Sequence, residues 1–211
     1  MILDIIGLIN KFGINITGVI HVGAHFGEED RLYRSLGVNK IHYFEPVKKT
    51  FEILKRNVIE GENIFLHNCA IGSEQKNEFI YVEDKDQFGA SSILEPSAEL
   101  KSHISFSSRE EVEVKRLDDF DILDCNFLNI DCQGYEYEVL SGATNTLRSV
   151  ECIMLEVNRV TKEKPLLYLN TKTIEHIEFL LGEHNFSLVD VSWAGGSWGD
   201  AFFIKKQKGI T

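Results

Sequence analysis

A short apolar run, Gly18-Val19-Ile20-His21-Val22, breaks into the glycine-punctuated turn Gly23-Ala24-His25-Phe26-Gly27. A helical pattern follows, and the next apolar run, Ile41-His42-Tyr43-Phe44, ends in Glu45-Pro46. This order is that of a βαβ unit holding a nucleoside-bearing cofactor. The glycines let the backbone turn sharply and approach a ligand, and the acid accepts hydrogen bonds from ribose hydroxyls. A dinucleotide fingerprint wants glycine at its first, third and sixth positions, whereas counting from Gly23 the third is His25 and the sixth is Glu28. A pyrophosphate needs that close backbone approach; a sulfonium nucleoside carries no phosphate and does not. S-adenosylmethionine is therefore expected ahead of NAD.

Helical and extended patterns alternate beyond this unit. A short helix is expected over Glu28 to Leu36, stopped by Gly37, and strand two over Ile41 to Phe44. Pro46 opens a helix whose apolar positions Val47, Phe51, Leu54 and Val58 have helical spacing. Strand three is expected over Ile64 to Ala70, strand four over Phe127 to Ile130 and strand five over Cys152 to Val157. Helices are expected from Tyr135 to Leu147 and near Thr173 to Leu181, then strands over Phe186 to Ser192 and Ala201 to Ile204. The loose run Trp193 to Gly199 joins that last pair. Five βα steps closed by a hairpin give an α/β fold: a seven-stranded, mostly parallel sheet with an antiparallel last strand. Asn77 to Val82 and Glu111 to Leu117 also read as strands. The polar stretch between them, with Gly89, Ser91, Ser92, Pro96 and Ser97, is too long for a simple connection. It reads as an insertion over the ligand end of the sheet, and long loops of this kind are often lids.

With 211 residues, 43% of them hydrophobic, the chain suffices for one sizeable core. A single domain over 1–211 is expected, with 1–17 an N-terminal helix and lead-in and 83–110 the lid-like insertion. The formal net charge of -11, without a long basic run, disfavours a nucleic-acid partner. Lys205, Lys206 and Lys208 read as a solubilising tail. Cys69, Cys125, Cys132 and Cys152 lack C-x-x-C spacing and read as buried reduced thiols. Met1 to Ile9 is apolar but short, contains Asp4 and has no basic leader. It reads as a helix capping the sheet, not a signal peptide or membrane span, so a cytoplasmic location is expected.

Open sheets of this sort bind ligands outside the carboxyl ends of their strands, where strand order reverses. Those ends carry Gly23, Glu45, Ala70, Asp131, and Glu156 with Asn158. Acids or amides at several such ends, beside a glycine turn, point to a concerted site.

The blocks His21-Val22-Gly23-Ala24-His25-Phe26-Gly27-Glu28-Glu29, Tyr43-Phe44-Glu45-Pro46, Leu128-Asn129-Ile130-Asp131-Cys132-Gln133-Gly134-Tyr135-Glu136, Glu156-Val157-Asn158 and Trp198-Gly199-Asp200-Ala201 resemble the FkbM-type class I methyltransferases. The likeness runs from about Gly18 to Ile204, with the blocks in the family's order. Its most specific part is Asp131-x-Gln133-Gly134-x-Glu136 followed by Val139-Leu140-Ser141-Gly142-Ala143. The resemblance implies a Rossmann-like, S-adenosylmethionine-dependent O-methyltransferase, usually acting on a sugar or polyketide hydroxyl. It departs from the wider class at His21, where an acid commonly opens the glycine motif, and at His25, which replaces the middle glycine. The contact that acid makes to the methionine end of the cofactor must then come from elsewhere.

Motif and resemblance together place His21, Gly23, Ala24, His25, Gly27, Glu45, Pro46, Ala70, Ser91, Ser92, Asp131 and Gln133 at the cofactor. Glu156, Asn158, Trp198 and Asp200 are placed at the acceptor. Tyr168, Asn170 and Trp193 are further candidates there. Methyl transfer needs alignment of oxygen, carbon and sulfur and removal of the hydroxyl proton, so a positioned base is expected. Asp131 is the first choice and His103, in the insertion, the second. Glu136 suits a helix's first turn, where a carboxylate favours the macrodipole. Asp131, Glu156 and Asn158 also form an oxygen-ligand set for a divalent metal, with magnesium the expected ion. The expected acceptor is a sugar or glycan hydroxyl, a deoxyhexose such as rhamnose among the candidates. A homodimer, or a place within a larger glycan-modifying polypeptide, is compatible with the chain. Competing readings are a polyketide-type O-methyltransferase, an oxidoreductase, and an inactive methyltransferase-like binding module. Amino methylation of nucleic acid is opposed by the charge and by the lack of an Asn/Asp-Pro-Pro-Tyr/Phe motif.

Overall fold

A computed structural model describes residues 2–58, 61–85, 89–162, 164–194 and 196–206. Gly195 of the expected hairpin connection, residues 86–88 of the insertion and Lys208 lie outside the described residues. The chain forms a seven-stranded sheet with strands β1 (Val19–Val22), β2 (Ile41–Phe44), β3 (Ile64–His67), β7 (Phe127–Ile130), β8 (Cys152–Asn158), β9 (Phe186–Ala194) and β10 (Trp198–Lys205), in the order β3-β2-β1-β7-β8-β10-β9. β3, β2, β1, β7 and β8 run parallel, and β10 is antiparallel to both β8 and β9. The sequence of β1 passes to β2 on one side, and β7 returns on the other. Strand order therefore reverses at the carboxyl end of β1, which is where Gly23 stands.

Every residue of β1, β2, β7 and β8 is buried, as parallel strands covered on both faces require. On one face Ile20, Val22, Leu128, Ile130 and Val157 pack with α5 (Glu136–Ser141) and α6 (Ile174–Glu183). On the other, Val19, Tyr43, Phe127, Met154 and Phe202 pack with α1 (Ile5–Phe12), α2 (Asp30–Ser35) and α3 (Lys48–Asn57). α1 has only eight residues, too short to stand alone in water. It is held by burying Ile5, Leu8 and Ile9, each worth roughly 1.5–3 kcal/mol, and by the Asp4 side chain accepting from the Gly7 amide. Among the described residues, no helix is long and apolar enough to cross a membrane.

Three expectations are corrected. The run from Ile64 to Ala70 is two strands, because Asn68 donates from its side chain to the carbonyls of Glu45 and Pro46 and turns the chain. β4 (Ala70–Ile71) then leaves the main sheet and joins β5 (Lys76–Val82) and β6 (Ser108–Lys115) in a three-stranded sheet, order β4-β6-β5. Between β5 and β6 the insertion contains a further helix, α4 (Ala98–His103), with Ser97 capping it through Leu100 N. The expected helix from Tyr135 to Leu147 ends at Ser141. Asp118 then accepts from the amides of Asn145 and Thr146 at 2.9 Å each and starts a separate turn at Thr146–Arg148.

Candidate cofactor and acceptor site

A cleft of about 600 Å³, its open mouth included, lies at the carboxyl ends of β1, β2, β4 and β7. Gly23 forms its floor with φ +80°, and a Cβ there would lie 1.9 Å from the Asp131 carbonyl oxygen. The ends of β1 and β7 thus approach so closely that only glycine fits. Glu45 at the end of β2 is 6% exposed. It accepts from His25 N at 3.0 Å and Val47 N at 2.8 Å, so it shapes the glycine turn as well as facing the cleft. His25, with φ 45°, stacks on Phe26 and places Nδ1 2.8 Å from Glu28 Oε1.

The opposite wall comes from the insertion. Ser92 bridges to Tyr81 through its backbone and donates its hydroxyl to the Gln133 carbonyl at 2.8 Å. The hydroxyl of Tyr168 reaches the Ala90 carbonyl at 2.7 Å and Gln133 Oε1 at 3.2 Å. Pro96 is bridged to Tyr168. The segment from Ala90 to Pro96 is therefore tied down over the turn that follows β7.

That turn is held from below by Glu136, whose Oε1 accepts from Cys132 N at 2.9 Å and Gly134 N at 3.0 Å. Gln133 sits at φ 54°, which points its side chain toward β8. Its Nε2 donates to Asp131 Oδ1 at 2.7 Å and to Glu156 Oε2 at 3.1 Å. Burial raises the Asp131 carboxyl, opposed by the Gln133 bond and reinforced by the charge of Asp200. Burial also raises Glu156 well above the carboxylate range, with Asp131, Glu136 and Asp200 adding to it, and pushes Glu136 to about 8.

Across the sheet, Glu156 faces Asp200 and Asn158 faces Trp198 in the β8/β10 register. Asp200 accepts from the backbone amides of Ile2 and Leu3. The expected magnesium set does not form. The Gln133 amide nitrogen, a donor, bonds to both Asp131 and Glu156, and among the described residues no group of three or more His, Cys, Asp or Glu is arranged to hold a metal ion.

Of the residues expected at the cofactor, Gly23, His25, Glu45, Pro46, Ala70, Ser91, Ser92 and Asp131 line the cleft. Four do not. Ala24 is buried in the core beneath it, Gly27 faces Leu54 of α3 and Val58 just after that helix, and Gln133 acts through Asp131 and Glu156. His21 is a core histidine: it is 2% exposed, its Nδ1 lies 3.2 Å from the Tyr33 hydroxyl, and Asn129 donates to that hydroxyl at 2.8 Å. Burial depresses its pKa to about 4, so it is neutral. His103 is exposed on the last turn of α4 and does not line the cleft. Tyr168 is buried as a tie of the insertion, while Asn170 is exposed. Trp193 is occupied by Arg159, whose guanidinium lies 4.1 Å from the ring centroid. Sequence reasoning missed the apolar wall made by Val47, Ile80, Ile93 and Tyr135. Tyr135 had a signal, since it lies inside the Asp131–Glu136 block, whereas Ile80 and Ile93 gain their place only from the second sheet.

The FkbM methyltransferase domain model matches residues 21–188. No curated protein matches the chain. Among solved structures, FkbM methyltransferase from Methylobacillus flagellatus KT superposes with a TM-score of 0.58 at 13% identity, over 90% of this chain and 44% of that one. The chain thus spans less than half the length of that protein. Magnesium protoporphyrin IX methyltransferase from Synechocystis PCC 6803, with bound SAH, superposes with a TM-score of 0.55 at 8% identity, over 96% and 81%. A SAM-dependent methyltransferase from Aquifex aeolicus gives 0.52 at 10%, over 95% and 89%. At these identities the likenesses speak to the fold, while the domain match spans most of the chain and every block of the cleft up to β8. The chain belongs to the FkbM family of methyltransferases.

Proposed function

We propose that this protein transfers a methyl group from S-adenosylmethionine to a sugar hydroxyl of a glycan or glycoconjugate, with residues 1–211 acting as one catalytic unit and 83–110 as its lid. The observation that carries the reading is the meeting of Gly23, Glu45 and Asp131 around one cleft at the strand-order reversal. Gly23 lets the ends of β1 and β7 meet at the cleft, Glu45 presents a carboxylate to ribose hydroxyls, and Val47, Ile80 and Tyr135 supply an apolar wall for a purine.

When bound, S-adenosylmethionine supplies a methyl group already activated on sulfonium. The protein's part is alignment and proton removal. The cofactor would give its methyl to the acceptor oxygen and leave as S-adenosylhomocysteine, the carbon–sulfur electron pair staying on sulfur. Asp131 stands beside the cleft with one oxygen fixed by Gln133. Burial raises its basicity, which suits it to take the hydroxyl proton. No step requires a metal in this scheme.

Calorimetry with S-adenosylmethionine and S-adenosylhomocysteine, in EDTA and then in magnesium, tests the cofactor. Micromolar binding in both conditions is expected, followed by sugar methylation detected by mass spectrometry on a glycan panel. Absence of binding in both would reject the reading.

A further inference from the structure

We propose that His25 is a latch controlling exchange of the cofactor: its ring stands over Gly89 of the insertion and closes the cleft above bound S-adenosylmethionine. The product, S-adenosylhomocysteine, leaves only when the two part. The inference rests on the methyl-transfer reading above and concerns the exchange of product for cofactor at the same site.

His25 holds φ 45°, a conformation that glycine takes freely and a residue with a Cβ does not. A side chain kept there at a cost points to a use for it. Its ring stacks on Phe26 with centroids 3.8 Å apart, and Nδ1 lies 2.8 Å from Glu28 Oε1. Glu28 Oε2 accepts from Phe26 N at 3.1 Å, and the Phe26 carbonyl accepts from the Asn57 side chain at 2.9 Å. His25 N donates to Glu45 Oε2 at 3.0 Å. The ring is therefore fixed on one face, at one nitrogen and through its backbone. Because Glu45 is the carboxylate assigned to the ribose, the ring stands at the ribose end of the cleft.

Gly89 meets that ring from the opposite wall, and both residues line the cleft. A Cβ added to Gly89 would lie 3.7 Å from His25 Cδ2 and 3.8 Å from Cγ and Nε2. The two walls therefore come within one methyl group of each other. The approach is built into the fold on both sides. Ala90, 3% exposed, donates its amide to Glu83 Oε2 at 3.0 Å and accepts from the Tyr168 hydroxyl at 2.7 Å. Glu83 N in turn donates to Ser91 Oγ at 3.0 Å. These ties set Gly89 opposite the ring, while Glu45 and Glu28 set the ring opposite Gly89. Walls this close enclose a ligand beneath them, and closures of this kind often govern product release.

The test follows S-adenosylhomocysteine binding to the full chain by surface plasmon resonance, which reads association and dissociation separately. His25→Gly, which suits φ 45°, should raise both rate constants by roughly fivefold, the size of several lost van der Waals contacts, and leave Kd within about twofold. A latch changes the barrier in both directions, whereas a ligand contact changes dissociation alone. Gly89→Ala supplies a second reading, since its methyl would meet the ring at 3.7 Å. It should slow exchange by roughly twofold relative to the same change made in His25→Gly, where the ring is gone. Faster dissociation with unchanged association, unchanged rates in His25→Gly, or equal effects of Gly89→Ala in both backgrounds overturns the latch and leaves the cofactor reading standing. No binding by the wild-type protein overturns both.

Discussion

Replacing Gly23 by alanine tests whether the meeting of β1 and β7 builds the cleft. The added Cβ would lie 1.9 Å from the Asp131 carbonyl oxygen and 2.8 Å from its carbon. Even a close C···O contact needs about 3.3 Å, so the strand ends would have to part by more than about 1 Å. They are tied by the Asp131 amide donating to the Val22 carbonyl at 2.9 Å. A non-glycine residue at φ +80° costs about 1–2 kcal/mol, and forcing a methyl into a packed site adds about 1–3 kcal/mol. For a chain of this size each kcal/mol lowers Tm by about 2–4 °C, giving a fall of about 4–20 °C. Gly37 is the internal control: it has φ +78° and nothing within 4 Å of its would-be Cβ. Gly37→Ala should carry the backbone cost alone, a fall of about 2–8 °C, and leave cofactor affinity unchanged. Thermal melts of both variants, with calorimetry against S-adenosylhomocysteine, give the comparison. Equal melting shifts, with affinity retained in Gly23→Ala, would refute the close-approach reasoning.

Glu45→Gln keeps one acceptor oxygen and turns an amide nitrogen toward His25 N or Val47 N. It should lower Tm by a few degrees and weaken cofactor binding by roughly tenfold or more; unchanged affinity by calorimetry rejects the ribose role. Asp131→Asn should reduce turnover by about 100-fold or more while S-adenosylhomocysteine affinity stays within severalfold, and wild-type turnover would remove Asp131 as the base. His21 is held neutral in the fold, with its pKa lowered from 6.5 to about 4. Between these values the unfolded chain binds the extra proton, so the His21 contribution to stability falls as pH drops from 6.5 toward 4. The raised carboxyls of Asp131, Glu136 and Glu156 act in the opposite sense. The relevant quantity is therefore the Tm difference between wild type and His21→Gln, which should move against the wild type on acidification; a difference independent of pH contradicts the buried neutral histidine.

The main sheet was readable because its strands are buried on both faces, so Ile41–Phe44 and Phe127–Ile130 appear as mostly apolar runs bounded by polar residues. Gly23, Glu45 and Asp131 were readable for a related reason: they follow such runs at once, and a parallel sheet puts its strand ends together. The break at Asn68 was not, because Ile64 to Ile71 stays largely apolar across it, and the turn depends on carbonyls of a distant segment. His21 misled because a polar residue in a motif looks like a ligand contact, whereas Tyr33, twelve residues on, satisfies it within the core. The metal set misled because the sequence shows which oxygens reach the strand ends but not that the Gln133 amide bonds to two of them. His103 could not be placed without α4, whose capping Ser97 lies in a stretch that reads as loop.

The most direct test of the cleft is amide hydrogen exchange with and without S-adenosylhomocysteine. Protection is expected at residues 22–25, 44–50, 91–93 and 131–135, which line the cleft or its turns, with no change along α6 (Ile174–Glu183) on the far side of the sheet from Glu156 and Asp200. Binding that leaves 22–25 and 44–50 unprotected would contradict the site described here.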